Sequence, residues 1–353
     1  MKAVPMPPQP LHVPTTDPTA IFESFRGSYG TELLTAAVVE FDLFGRLAEQ
    51  PKSFDELREE IGLQRRPAVV LFTALRAMGL LSTDGDGRLM LTAQSREHLV
   101  PGTEFDVSGY IALAEQSPGV REIIERLRTN RPAGASKPDE GTAFIYREGT
   151  ESAMEAEASA RFLTLSLAGR AKNVAPVLAE RVPLDGVRTL LDVGGGSGIY
   201  SIAWLRRHPE LRAIVWDRPE VLKVAREMAG QYGVADRLEC VPGDMFVDQV
   251  PSADVVLLSN ILHDWDESEC RRLVGRCAAA LPSGSRLLIH DVLLNDDHGG
   301  PLPIALYSTA LFTLTEGRAY SAREFQSWLV EVGLSLLPIT QTLVHCAVVG
   351  GQK

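Results

Sequence analysis

From Val187 onward the chain alternates short apolar runs with longer helical patterns, and nothing else in the sequence limits its fold as much. The runs are "RTLLDV", "RAIVWD", "RLECV", "ADVVLLS" and "RLLIHDV". Short, almost uninterrupted apolar strands joined by helical crossovers predict a parallel sheet covered by helices on both faces, an α/β architecture. The tail "SLLPITQTLVHCAVVG" reads as two strands around a turn, a hairpin that would close the sheet. No internal repeat is evident.

The front of the chain follows a different period. Between residues 21 and 105, apolar positions recur at helical spacing in "LLTAAVVEFDLFGRLAE" and "PAVVLFTALRAMGLL". Ser53 and Glu56 in "SFDEL" form a capping-box pattern at a helix start. "STDGDGRLMLT" then offers a turn between two short strands. Helices followed by such a wing resemble a winged-helix module. Residues 106–180 are again helical in pattern, interrupted by "NRPAGASKPDEG", and read as a linking layer over a cleft. Residues 1–20 are Pro-rich, lack the apolar centre of a secretory signal and read as a disordered leader.

A winged helix raises the possibility of DNA binding, and charge decides against it. Between Phe22 and Glu104 nine basic side chains face thirteen acidic ones, and the whole chain carries −11. A surface that reads DNA is basic, so the front segment is expected to pack or dimerise. No apolar run approaches the roughly 20 residues of a membrane helix. Cys240, Cys270, Cys277 and Cys346 show no metal-ligand spacing, which fits reduced thiols in a cytoplasmic protein. No metal is expected. Metal binding is conceivable at His298 in the "NDDHGG" loop but not expected there, and His290, within a strand, is expected to be structural.

The chemistry gathers at the strand ends. "LLDVGGGSGIYS" opens a helix after the first sheet strand, and its glycines allow a tight turn and close approach to a ligand. In a dinucleotide fingerprint the third glycine would stand where Ile199 does. Asp192 precedes the turn, Asp217 closes the second strand about 20 residues further on, where a carboxylate can take both ribose hydroxyls, and Asp244 follows the third. Three acids at successive strand ends suit a nucleoside that bears an amino group and no phosphates. After the next strand comes "SNILHDWDE", with His263 and Asp264 at a strand-to-helix turn. Read alone, His263 is a histidine beside a helix cap. Trp265 reads as packing or as a wall.

In this order and spacing, "LLDVGGGSG", "WDRPEVL", "GDMF" and "LSNILHDWDE" resemble the class I S-adenosylmethionine-dependent O-methyltransferases. The closer likeness is to the branch with caffeic acid, isoflavone, acetylserotonin and bacterial natural-product enzymes. The resemblance covers nearly the whole chain after the leader. It implies a Rossmann-like seven-stranded methyltransferase domain over residues 181–353, preceded by a mostly helical winged-helix-like dimerisation domain, and a homodimer. It further implies S-adenosyl-L-methionine as cofactor, with Gly194 and Gly196 at its methionine end, Asp217 on the ribose, and Asp244 with Met245 on the adenine. Asp192, Arg218 and Ser259 complete the expected cofactor-binding set. His263 matches the general base, Asp291 the acid that orients it, and Asp264 is a cap or a helper. Ala319, in "EGRAYS", stands where the family carries a second glutamate; "DRP" replaces "DLP", and Ser259 replaces a lysine of plant members.

The expected reaction is methyl transfer to a hydroxyl of a small aromatic acceptor, the apolar stretch "ALYSTALFTL" suiting a flat ring. A phenol of pKa about 10 is protonated at neutral pH, and a histidine of pKa about 6.5 can take its proton as the new bond forms. Transfer to carbon, nitrogen or sulfur, or a non-methylating member of the same fold, is the alternative; a DNA-binding regulator is the remaining one.

Overall fold

The computed structural model describes residues 9–131 and 157–353. The first eight residues of the expected leader, and most of the Pro/Gly/Ser-rich loop within 132–156, lie outside the described residues. Residues 9–22, 157–293 and 322–353 form one compact unit, and residues 23–131 and 294–321 the other.

The first unit is built on the alternation seen in the sequence. β3 (Thr189–Val193), β4 (Arg212–Asp217), β5 (Leu238–Pro242), β6 (Val255–Ser259) and β7 (Arg286–Leu294) lie parallel in the order β7-β6-β3-β4-β5. (β1 and β2 are the Leu81–Thr83 and Leu89–Leu91 strands of the other unit.) The tail returns as the expected hairpin. Cys346–Gln352 pairs antiparallel with β7, and Thr340–Gln341 pairs with Cys346–Gln352, so the path runs through seven strands. Leu190, Val215, Leu257 and Leu288 from four strands join Ile202, Trp204 and Leu222 from helices in one buried cluster. β3 is central: the chain leaves it for β4 and later returns on its other side as β6. Such a reversal opens a crevice at the carboxyl ends of the strands, where ligands bind in open α/β sheets. The helix Glu157–Arg181 packs against the helices Ile199–Leu205 and Pro219–Gln231 of the same unit.

The second unit holds the front helices. Gly30–Val39, Leu43–Glu49, Phe54–Glu60, Arg65–Ala77 and Pro118–Thr129 surround a core of Leu33, Phe44, Leu57, Leu71 and Leu75, and the β1–β2 hairpin pairs Leu81 with Leu91. Ser53 and Glu56 make the reciprocal capping-box bonds expected of them. The helix Leu302–Leu314, late in the chain, packs here against Arg65–Ala77. Arg66 reaches back to its end and donates to the carbonyls of Phe312 (2.8 Å), Thr315 (2.6 Å) and Gly317 (3.0 Å). Last-turn carbonyls lack intrahelical partners, and Arg66 supplies them.

Candidate active site

The strand ends of the first unit place the expected residues. At the end of β3 the chain turns through Gly194 and Gly196, both left-handed at φ 62° and 58°, a conformation that strains any side chain. A Cβ on Gly194 would also stand 2.5 Å from Cδ1 of Ile261, whereas one on Gly196 would meet nothing within 4 Å. The turn at Gly196 is tied to the next strand end. Asp217 accepts the Gly196 N–H at Oδ2 (2.9 Å) and the Arg218 N–H at Oδ1 (2.7 Å). Burial pushes the Asp217 carboxyl above its ordinary range, although both amides favour its charged form.

Asp192, one residue before the end of β3, is buried. Its Oδ2 accepts the Ser201 hydroxyl at 2.8 Å, while its Oδ1, also buried, has no hydrogen-bond partner. Burial, with the nearby Asp217 charge adding to it, pushes Asp192 up to about 7. Beyond β5, Asp244 makes a local turn: its Oδ1 accepts the Phe246 N–H (2.7 Å), and its own N–H donates to Asp248 (2.9 Å). The Met245 carbonyl accepts from Arg276 Nε at 2.9 Å. Phe246 stands edge-on to Trp265, with centroids 4.6 Å apart, linking the Asp244–Met245 turn to the His263 turn.

After β6, Asn260 takes a left-handed φ of 56°, and a short 3-10 turn, Leu262–Asp264, leads into the helix Glu267–Ala280. Asp266, not Asp264, caps that helix, accepting the Glu269 N–H at 2.9 Å. His263 and Asp264 are both buried there. β7 supplies the partner: His263 Nδ1 lies 2.6 Å from Asp291 Oδ1, which also accepts the Val292 N–H at 2.8 Å. Asp264 Oδ1 stands 3.6 Å from His263 Nε2, beyond a hydrogen bond. A carboxylate can only accept, so it fixes the Nδ1–H tautomer and leaves Nε2 with its lone pair. Burial alone would lower the imidazole pKa, but the charges of Asp291 and Asp264 and the Asp291 hydrogen bond outweigh it and the net shift is upward from 6.5. Burial pushes Asp264 up to about 7, against the pull of His263.

The structure thus brings together Asp217 with Gly196, Asp192 with Ser201, and His263 with Asp264 and Asp291. Ser259 is bonded instead to His290 (2.9 Å), in a polar cluster with buried Tyr200 and Thr342 and half-buried Arg170 and Asn260. Of that cluster the sequence reading marked only Ser259 and His290; a lone arginine or tyrosine inside a helix carries no signal of its own. Ala319 is buried in the second unit, its N–H donating to Ser308 Oγ (3.1 Å). Among the described residues no helix is long and apolar enough to cross a membrane, and no group of three His, Cys, Asp or Glu side chains is placed to hold a metal ion.

Comparison with known proteins gives the family. A family model described as an O-methyltransferase domain matches residues 144–335. A 3-hydroxy-5-methyl-1-naphthoate 3-O-methyltransferase from Streptomyces sahachiroi is 38% identical over 322 residues, covering 90% of each chain. A tetracenomycin polyketide synthesis 8-O-methyl transferase from Streptomyces glaucescens is 30% identical, covering 92% of this chain and 93% of its own. Among solved structures, an O-methyltransferase family 2 protein from Planctomyces limnophilus in complex with apigenin superposes with a TM-score of 0.88 at 48% identity, covering 98% of both chains. The chain therefore belongs to the O-methyltransferase family and is an S-adenosylmethionine-dependent methyltransferase.

Proposed function

We propose that this chain methylates a hydroxyl of a small aromatic acceptor, with His263 as the general base. The observation that carries the reading is the buried His263–Asp291 pair at 2.6 Å, set on the turn that packs Ile261 over Gly194. The acceptor class is supported by the naphthoate and tetracenomycin relatives and by the apigenin complex.

The residues at the strand ends fit the cofactor. Asp192 offers a buried oxygen without a hydrogen-bond partner, suited to a cationic group, and the space beside Gly196 is open. Gly194, Gly196 and Asp192 would hold the methionine end. Asp217 and Arg218 would hold the ribose, Asp244 and Met245 the adenine, and Ser259 is assigned to the wall behind them. When bound, S-adenosylmethionine would supply a methyl group on cationic sulfur, open to attack at carbon by an oxygen lone pair with the sulfur leaving as a neutral thioether.

The chain's own part is proton handling and orientation. His263 accepts the acceptor's hydroxyl proton at Nε2, and Asp291 holds Nδ1–H and balances the imidazolium. Asp264, near Nε2, adds a second negative charge beside that cation. Since the reacting atoms must align, positioning supplies much of the rate. The second unit is assigned to homodimer formation, supported by exposed Phe105, Tyr110 and Leu113. Free cysteines support a cytoplasmic site of action.

The experiment is a radiolabelled methyl-donor assay across naphthols, flavones and anthracyclic phenols, with wild type and His263→Ala compared on any acceptor that turns over. Loss of roughly 10²-fold or more in kcat is expected for the variant. A His263→Ala enzyme with wild-type kcat on a phenol would end the base assignment.

A further inference from the structure

Asn260, three residues before His263, has the polar atoms of its side chain engaged by three different elements. Oδ1 accepts from Arg170 Nη1 (2.6 Å) on the helix Glu157–Arg181. Nδ2 donates to Ser259 Oγ (3.0 Å) at the end of β6 and to Tyr200 Oη (3.2 Å) on the helix that follows the glycine turn. The orientation of the amide follows from chemistry: a guanidinium only donates, so the oxygen faces Arg170 and the nitrogen faces the hydroxyls.

The bonds continue beyond Ser259 and return to Arg170. Ser259 Oγ lies 2.9 Å from His290 Nδ1, and His290 Nε2 lies 3.0 Å from Thr342 Oγ1. Thr342 Oγ1 donates to the Cys346 carbonyl (2.9 Å), and Arg170 Nη2 donates to Cys346 Sγ (3.0 Å). Thr342 has one hydroxyl proton and uses it on that carbonyl, so His290 Nε2–H must donate to Thr342 and Nδ1 must accept from Ser259. The path from Arg170 through Asn260, Ser259, His290 and Thr342 to the Cys346 carbonyl therefore has one direction, and Arg170 closes the ring by donating at the Cys346 end as well. Burial, and then the Arg170 charge, push His290 down to about 3, so the relay stays neutral at any working pH. Beyond Asn260 the turn is closed by its own short bonds, Asp264 N–H to Ile261 (3.1 Å) and Trp265 N–H to Leu262 (3.2 Å).

We propose that Asn260 is a positioning residue that registers the His263 turn against the glycine turn and its helix, with His290 as the relay that holds Ser259 and Asn260 in place. The proposal rests on His263 being the base. Its physical reason is the narrow tolerance of in-line transfer, in which a misplacement of about 1 Å costs on the order of 10²-fold.

Four variants test it, each checked for folding by circular dichroism and thermal melting. Asn260→Gly keeps the left-handed backbone and deletes the amide; Asn260→Asp keeps the shape and the Arg170 contact and deletes the donors. Both are expected to lower kcat by about 10-fold or more. The acceptor KM and the calorimetric Kd for S-adenosylmethionine should stay within about threefold. His290→Leu should behave likewise, and His290→Gln, which can both accept and donate, should recover to within about threefold of wild type. The His263 imidazole, followed by NMR in the cofactor-free protein, should titrate differently in Asn260→Gly than in wild type. If folded Asn260→Gly keeps kcat while His263→Ala loses it, the positioning role is wrong and the base reading stands. His290→Gln as slow as His290→Leu also overturns the relay. Should His263→Ala keep kcat, the base reading itself has failed.

Discussion

At His263 burial and charge oppose each other, and the carboxylates win. A base must be neutral to work, so a raised pKa moves its working range upward. The acid limb of kcat/KM is expected above pH 6.5 on a phenol substrate. Asp291→Asn removes the nearer charge and the tautomer lock; the limb should move to lower pH while kcat falls roughly 10²-fold. A limb that stays put in that variant would show that Asp291 does not set the base. Asp192 carries the opposite consequence. Its folded pKa, about 7, lies above the unfolded value of about 3.9. The stability it contributes is therefore present at low pH and lost as pH rises through 7. A cationic ligand beside it favours the carboxylate, so donor binding at pH 6 is expected to release a proton, and at pH 8.5 none from this group. Calorimetry in buffers of different ionisation enthalpy reads this directly, and Asp192→Asn should abolish the release.

Among the elements, the helix Leu302–Leu314 depends on a side chain from far up the chain. Arg66 donates to three carbonyls at its end and lies over the Phe312 ring at 4.6 Å. Arg66→Met leaves those carbonyls short of donors and is expected to cost about 2–3 kcal/mol in urea unfolding. A loss under about 0.5 kcal/mol would mean that solvent replaces it freely. The sequence did not announce this link. "ALYSTALFTL" is apolar on nearly every side, so its pattern says buried helix and nothing about which neighbours bury it. The parallel strands, the tail hairpin and the glycine turn were legible because period and glycine report backbone conformation directly. The pairing of His263 with Asp291 was expected only through the family resemblance; β-register, which sets Ser259 opposite His290 and so brings Asp291 of β7 level with the turn beyond β6, is its physical cause. The ring around Asn260 was not legible. Its members come from two helices, two neighbouring strands and the tail, and polar residues scattered over some 170 positions leave no periodic trace.

At the scale of the whole molecule, what the front unit is for depends on its surface. Its wing and helices have the outline of a DNA reader, but its acidic balance opposes a phosphate backbone. Its apolar side chains point elsewhere: Phe105 is 54% exposed, Tyr110 78% and Leu113 78%. Large apolar groups gathered in one stretch of chain mark an interaction surface more often than a bare exterior. Stable interfaces centre on such aromatic and aliphatic anchors. Because these side chains contribute little to the core of a single chain, charging one should leave folding nearly untouched, within about 0.5 kcal/mol. The same change at the centre of an interface strands a charge where water is excluded. Sedimentation at micromolar concentration is therefore expected to give a dimer for wild type and a monomer for Leu113→Glu, with unchanged circular dichroism. Asp86→Lys, exposed on the hairpin turn, should remain dimeric as a charge control. A wild-type chain that sediments singly would remove the dimer assignment. Heparin retention of that monomer at 0.15 M salt would turn the front unit back toward nucleic acid, against the sign of its charge.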